Sequence, residues 1–105
     1  MVRADIHEIK LPQGRGHVQY GRRYAVIVQA DDLLGLSTIV ICPTSTSAPP
    51  ASFHPEIDVG EEQTRVLCEM VGAVDARVLG AQIGHLTANE VHDVDEALAL
   101  VLSLE

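Results

Sequence analysis

What most constrains this chain is the order of its apolar segments: several short runs, then a single stretch with helical spacing at the C-terminal end. Tyr24 to Ala30 (YAVIVQA) is a short continuous apolar run, the pattern of a strand buried on both faces, and Ser37 to Pro43 (STIVICP) reads as a second buried strand. Asp31 to Leu36 between them reads as a turn or a short helical connection. Asp5 to Leu11 reads as a strand with imperfect alternation, and Phe53 to Val59 as a strand that Pro55 moves towards a sheet edge. After an acidic turn at Gly60 to Thr64, Arg65 to Val71 and Leu79 to Ile83 are further strand candidates, separated by GAVDARV. Thr87 followed three residues later by Glu90 is a capping box. Val91, Val94, Leu98, Val101 and Leu102 then recur at helical spacing, with Asp93, Asp95 and Glu96 on the wet face. Five or six short strands closed by one C-terminal α-helix predict a mostly β (α+β) fold, a small antiparallel barrel. At 105 residues the chain can build one modest core, and a single domain over 1–105 is expected, with no internal repeat or clear linker.

The same pattern limits function. No apolar run reaches the roughly 18 residues of a membrane span, and the N-terminal MVRADIHEIK has no signal-peptide core. The expected location is therefore the cytoplasm. Cys42 and Cys68 each lie inside an apolar run and are expected as buried, reduced thiols. A net charge of -8 argues against a broad nucleic-acid-binding face. Its distribution matters more than its sum. No acid occurs between Glu8 and Asp31, whereas Lys10, Arg15, Arg22 and Arg23, four of the seven cations, fall in that window. A short basic segment on an acidic body is either a local anion site or a solvated loop that carries arginines.

Within that window, PQGRGHVQYGRR has three glycines and a proline in twelve residues and reads as a loop. Arginine offers a rigid fork of donors suited to phosphate, and Arg23 sits where this loop enters a buried strand. His17 can exchange a proton near neutral pH, although an incidental loop histidine fits the residues as well. At the exit of the second buried run, Thr44 to Ser52 is polar and expected to be mobile, with hydroxyls at Ser45, Thr46 and Ser47. These can hold phosphate oxygens or serve only as turn formers. Glu69, in the apolar LCEMV, is either a rim carboxylate in a cleft or an outward-facing strand residue, and Asp75 reads as turn-forming. His7, His54, His85 and His92 lack zinc-type spacing, and neither a P-loop nor a Gly-x-Ser-x-Gly elbow is present. No metal and no cofactor is predicted.

Taken in order, Gly16-His17-Val18-Gln19, Gly21-Arg22-Arg23 and Pro43-Thr44-Ser45-Thr46 resemble the MazF/PemK toxin pattern. That pattern has a Gly-His-Glu-Gln loop, a Gly-x-Arg-Pro strand entry and a strand ending in Pro-x-Thr-Ser. LCEMVGAVDARVLG resembles the family's acid-containing stretch, and Gly84-His85-Leu86 precedes the closing helix. The order and spacing of the motifs carry the resemblance over almost the whole chain. Val18 replaces the loop Glu, Tyr24 replaces the Pro after the arginine, and Glu69-Met70 stands for Asp-Gln. Leu67 takes the position of an arginine that some members use.

The resemblance implies an SH3-like/CcdB-type barrel, a homodimer, and RNA bound in grooves at the dimer interface. It also implies metal-independent endoribonuclease activity on single-stranded RNA, leaving 2′,3′-cyclic phosphate and 5′-OH ends. The implied partner is an antitoxin whose acidic C-terminal tail occupies the RNA groove. On this reading Arg23 stabilises the phosphorane, Ser45 and Thr46 hold phosphate oxygens, and His17 and Glu69 supply base and acid, or Arg23 itself the acid. Arg15, Gly16, Gln19, Tyr20, Arg22 and Tyr24 would contact RNA, the two tyrosines by stacking. Two other readings use the same residues: a non-catalytic CcdB-like toxin acting on a protein target, and a degenerate inactive homologue.

Overall fold

The computed structural model describes residues 1–10 and 23–104. Among the described residues seven strands and one α-helix follow in chain order: β1 Asp5–Ile9, β2 Tyr24–Ile27, β3 Thr38–Ser45, β4 Glu56–Val59, β5 Glu62–Val66, β6 Gly72–Asp75, β7 Leu79–His85 and α1 Ala88–Leu102. They form one curled antiparallel sheet in the order β4-β5-β3-β2-β1-β7, with β6 beside β3. β3 is long enough to serve two partners on that side: Thr38 to Ile41 pair with β6, and Thr44 and Ser45 pair with β5.

Both faces of the central strands are buried, which is why β2 and β3 read as unbroken apolar runs. Alternate side chains point to opposite faces. Tyr24, Val26, Cys42 and Val66 pack with Val94, Ala97 and Leu98 of α1. Ala25, Ile27, Ile39 and Ile41 form a second cluster against Leu34, Val74 and Leu79. The capping box is formed: Glu90 donates its N–H to the Thr87 side chain, and the Glu90 carboxylate accepts from the Thr87 N–H. Leu102, expected on the apolar face, is 49% exposed, whereas Ala97, not expected there, is buried. Cys42 and Cys68 are both free thiols, fully buried as expected.

β2 ends at Ile27, β4 begins at Glu56 and β7 runs to His85, and four larger differences from the sequence reading follow. β3 runs on through Thr44 and Ser45, which belong to the ordered sheet because β5 pairs with them. β5 begins at Glu62 and ends at Val66, so the acidic turn is shorter and the strand lies earlier than expected. Residues Cys68–Met70 form a 3₁₀ turn where a strand was expected to continue. GAVDARV contains a further strand, β6, and then a 3₁₀ turn that Asp75 caps by accepting from the Arg77 N–H, in keeping with its turn-forming character. β4 lies at the sheet edge, where Pro55 pointed.

Candidate functional site

The register of the sheet brings one row of side chains together. Ser45 on β3 lies opposite Arg65 on β5, and Arg65 lies opposite Glu56 on β4. On the other side, Ala25 pairs with Pro43, and this register carried two residues further sets Arg23 opposite Ser45. The Thr44 hydroxyl donates to the Tyr24 carbonyl at 3.3 Å, which ties Tyr24 to β3, and the Ile9 N–H donates to the Arg23 carbonyl, which ties Arg23 to β1. Directly opposed residues share a face. Ser45, Arg65 and Glu56 therefore form one row across β3, β5 and β4, and Arg23, just ahead of β2, lies where the continued register extends that row. At the usual strand spacing of about 4.8 Å, two guanidinium-bearing positions lie about 10 Å apart with a hydroxyl between them.

Ser45 is buried, its hydroxyl 3.1 Å from that of Ser47 and accepting from the Ser47 N–H. Thr46 is exposed on the turn just beyond β3. With Glu56, Gln63, Thr64 and Arg65 it lines a cavity of about 120 Å³. Arg23 is half-buried, and burial pulls its guanidinium below its ordinary value. Arg65 holds Glu56 at 2.7 Å.

Glu69 is not the outward-facing strand residue that one reading expected. It sits on the 3₁₀ turn after β5, and its two carboxylate oxygens are 3.0 and 2.9 Å from His54 Nε2. His54 is buried, and its Nδ1 lies 2.8 Å from the Pro49 carbonyl. A carbonyl and a carboxylate both accept, so the ring satisfies both only as a double donor, the imidazolium. Burial alone would pull the His54 pKa down. The Glu69 hydrogen bond and the Pro49 carbonyl outweigh it, so the net direction is up, against an opposing push from Arg65.

His17, Arg15, Gly16, Gln19, Tyr20 and Arg22 lie outside the described residues. Tyr24 is described and corrects one expectation: its ring is packed in the core at 5% exposure and its hydroxyl donates to Glu62, so it offers no open face for stacking. Two groups beside the candidate site, Arg65 and His54, were missed. Neither has a motif; one is found by strand register and the other by a contact across fifteen residues. Among the described residues no three His, Cys, Asp or Glu side chains converge as a metal site, and no helix is long and apolar enough to cross a membrane.

Comparison with known proteins agrees with this architecture. Residues 2–102 match the family model of PemK-like, MazF-like toxins of type II toxin–antitoxin systems. A Mycobacterium tuberculosis protein named "Putative toxin Rv3098A" is 37% identical over 91 residues, covering 86% of this chain and 85% of its own. MazF from Deinococcus radiodurans superposes with a TM-score of 0.83 at 20% identity, covering 99% of this chain and 97% of that one. A mycobacterial endoribonuclease, solved in complex with its cognate antitoxin, gives 0.83 at 18% identity over 100% and 97% of the two chains. The M. tuberculosis toxin MazF-mt6 gives 0.79 at 19% identity over 96% and 98%.

Proposed function

Because this chain belongs to the PemK-like, MazF-like toxins of type II toxin–antitoxin systems, we propose that it is a metal-independent endoribonuclease acting on single-stranded RNA in the cytoplasm. The observation that carries this reading is the β2–β3 register, Ala25 opposite Pro43, whose continuation by two residues would bring Arg23 to Ser45. RNA supplies its own nucleophile, the 2′-OH, so the protein has only to bind the phosphate, move two protons and stabilise the added negative charge. Arg23 provides that charge from a half-buried position, where less water screens it. Ser45 and Thr46 hold phosphate oxygens. A base takes the 2′-OH proton as the oxygen attacks phosphorus, and an acid protonates the departing 5′-oxygen. The products are a 2′,3′-cyclic phosphate and a 5′-OH. Glu69 takes one of the two proton-transfer roles and His17 the other, with His54 holding the Glu69 carboxylate in place.

By the same family argument the protein acts as a homodimer and is neutralised by an antitoxin with an acidic tail. Arg15, Gly16, Gln19, Tyr20 and Arg22 contact the RNA. The test is incubation of purified protein with RNA in EDTA, with the fragment ends mapped. Wild type yields cyclic-phosphate ends. Arg23→Ala abolishes cleavage while circular dichroism and oligomeric state stay unchanged. Cleavage by that variant at the wild-type rate removes Arg23 from the chemistry.

A further inference from the structure

Arg65 stands in the row without a role in the reaction just described. It lies directly opposite Ser45, on the side away from Arg23. Its side chain is only 23% exposed, so its stem is packed and its head is held near one position. Thr46 and Gln63 also line the cavity it borders, and both residue types can donate to an oxyanion. The group that now occupies its guanidinium is Glu56, at 2.7 Å, whose carboxylate is 46% exposed and free to swing into solvent. A carboxylate and a phosphate present the same oxygen geometry to a guanidinium fork.

Resting on the nuclease reading, we propose that Arg65 is a second phosphate-binding residue of the site, taking an RNA phosphate next to the one at Arg23 and Ser45. Glu56 is the intramolecular anion that this phosphate displaces. A second cation in the row gives the RNA strand a direction across the sheet, with one phosphate held on each side of Ser45. The Glu56 carboxylate stands nearly half in solvent, so its pairing is weak enough to yield to phosphate and strong enough to weaken binding measurably.

The experiment separates binding from cleavage with a mixed-sequence oligonucleotide carrying 2′-O-methyl groups throughout, which removes the nucleophile. Its affinity is measured by fluorescence anisotropy across a salt series, alongside cleavage of ordinary RNA. Arg65→Gln is expected to weaken binding and to reduce the slope of log K against log salt by about 0.7, the loss of one single-strand phosphate contact. Arg65→Lys keeps the slope and loses part of the affinity, which distinguishes lost contact from lost fold. Glu56→Gln tightens binding by up to about fivefold at low salt. If wild type cuts RNA and both Arg65→Gln and Glu56→Gln bind with wild-type affinity and slope, Arg65 holds no phosphate and the proposal is overturned. If wild type fails to cut RNA but Arg65→Gln still lowers the slope, the phosphate site stands and the nuclease reading falls.

Discussion

Two of the molecule's histidine–carboxylate pairs are built inside out with respect to each other. In His54–Glu69 the imidazole is buried and the carboxylate side chain is 40% exposed. In His85–Asp5 the carboxylate is buried and the imidazole is 50% exposed, at 2.7 Å. The buried member of each pair is anchored by backbone: His54 by the Pro49 carbonyl, and Asp5 by the Val2 N–H, with Gln82 adding a further bond. The exposed member is the one that can meet a ligand. Glu69 presents an oriented carboxylate, and His54 feels the charge of Arg65 in the candidate row. Asp5 faces inward and ties the N-terminal segment to the end of β7. Two pairs of the same chemistry thus serve different ends, and burial decides which group is fixed and which is offered.

The comparison breaks most sharply at Glu69. Glu69→Gln is expected to lower the cleavage rate by at least about 100-fold, the usual scale of a lost proton-transfer group. Its stability in urea should change by less than about 1 kcal/mol, because the carboxylate is partly solvated. A rate within a few-fold of wild type would make His54–Glu69 a structural pair like its counterpart. Asp5→Ala should do the opposite. It strands donors on Val2, Gln82 and His85 and should cost about 2 kcal/mol in urea melts, while the folded fraction cleaves RNA at the wild-type rate. Loss of cleavage in a folded Asp5→Ala protein would remove the contrast from the other side.

The smallest effect is on pH, and its sign differs between the pairs. The folded His54 pKa lies above its ordinary 6.5, so its contribution is complete below 6.5 and is lost as pH rises through the folded value. For Asp5, burial pushes the pKa up, but the Val2 N–H and His85 outweigh it and hold the carboxyl below its ordinary 3.8. Its contribution is present above 3.8 and is lost as pH falls through the lower folded value. Urea melts of wild type and His54→Gln should therefore converge on the alkaline side, and those of wild type and Asp5→Ala on the acid side. Convergence of both on the same side would contradict the bonding described for one of the two.

How legible the molecule was follows from the range of the forces involved. The capping box at Thr87 and Glu90 is a contact between residues three apart, and it forms as read. The runs around Val26 and Ile41 announce burial on both faces because Tyr24 to Val28 and Ile39 to Cys42 are apolar without alternation. Thr44 and Ser45 looked like the start of a mobile segment because their side chains are polar; they are ordered because β5 pairs with them from twenty residues further on. Tyr24 looked available for stacking because tyrosines are scarce, and Glu62 and the core claim it instead. His54 was set aside for lack of metal spacing, which is no guide to a partner fifteen residues away.

The sequence by itself determined the strand-rich order, the closing helix, the two-sided burial of the central runs and the family pattern around Arg23 and Ser45, since each rests on side-chain polarity at short separations. Only the tertiary structure decided that Arg65 flanks Ser45, that Glu56 occupies Arg65 and that Glu69 leans on His54. Those contacts depend on strand register and on turns that return the chain upon itself: a shift of one residue in pairing would have sent Ser45, Arg65 or Glu56 to the other face, and Glu69 meets His54 only because two separate turns approach.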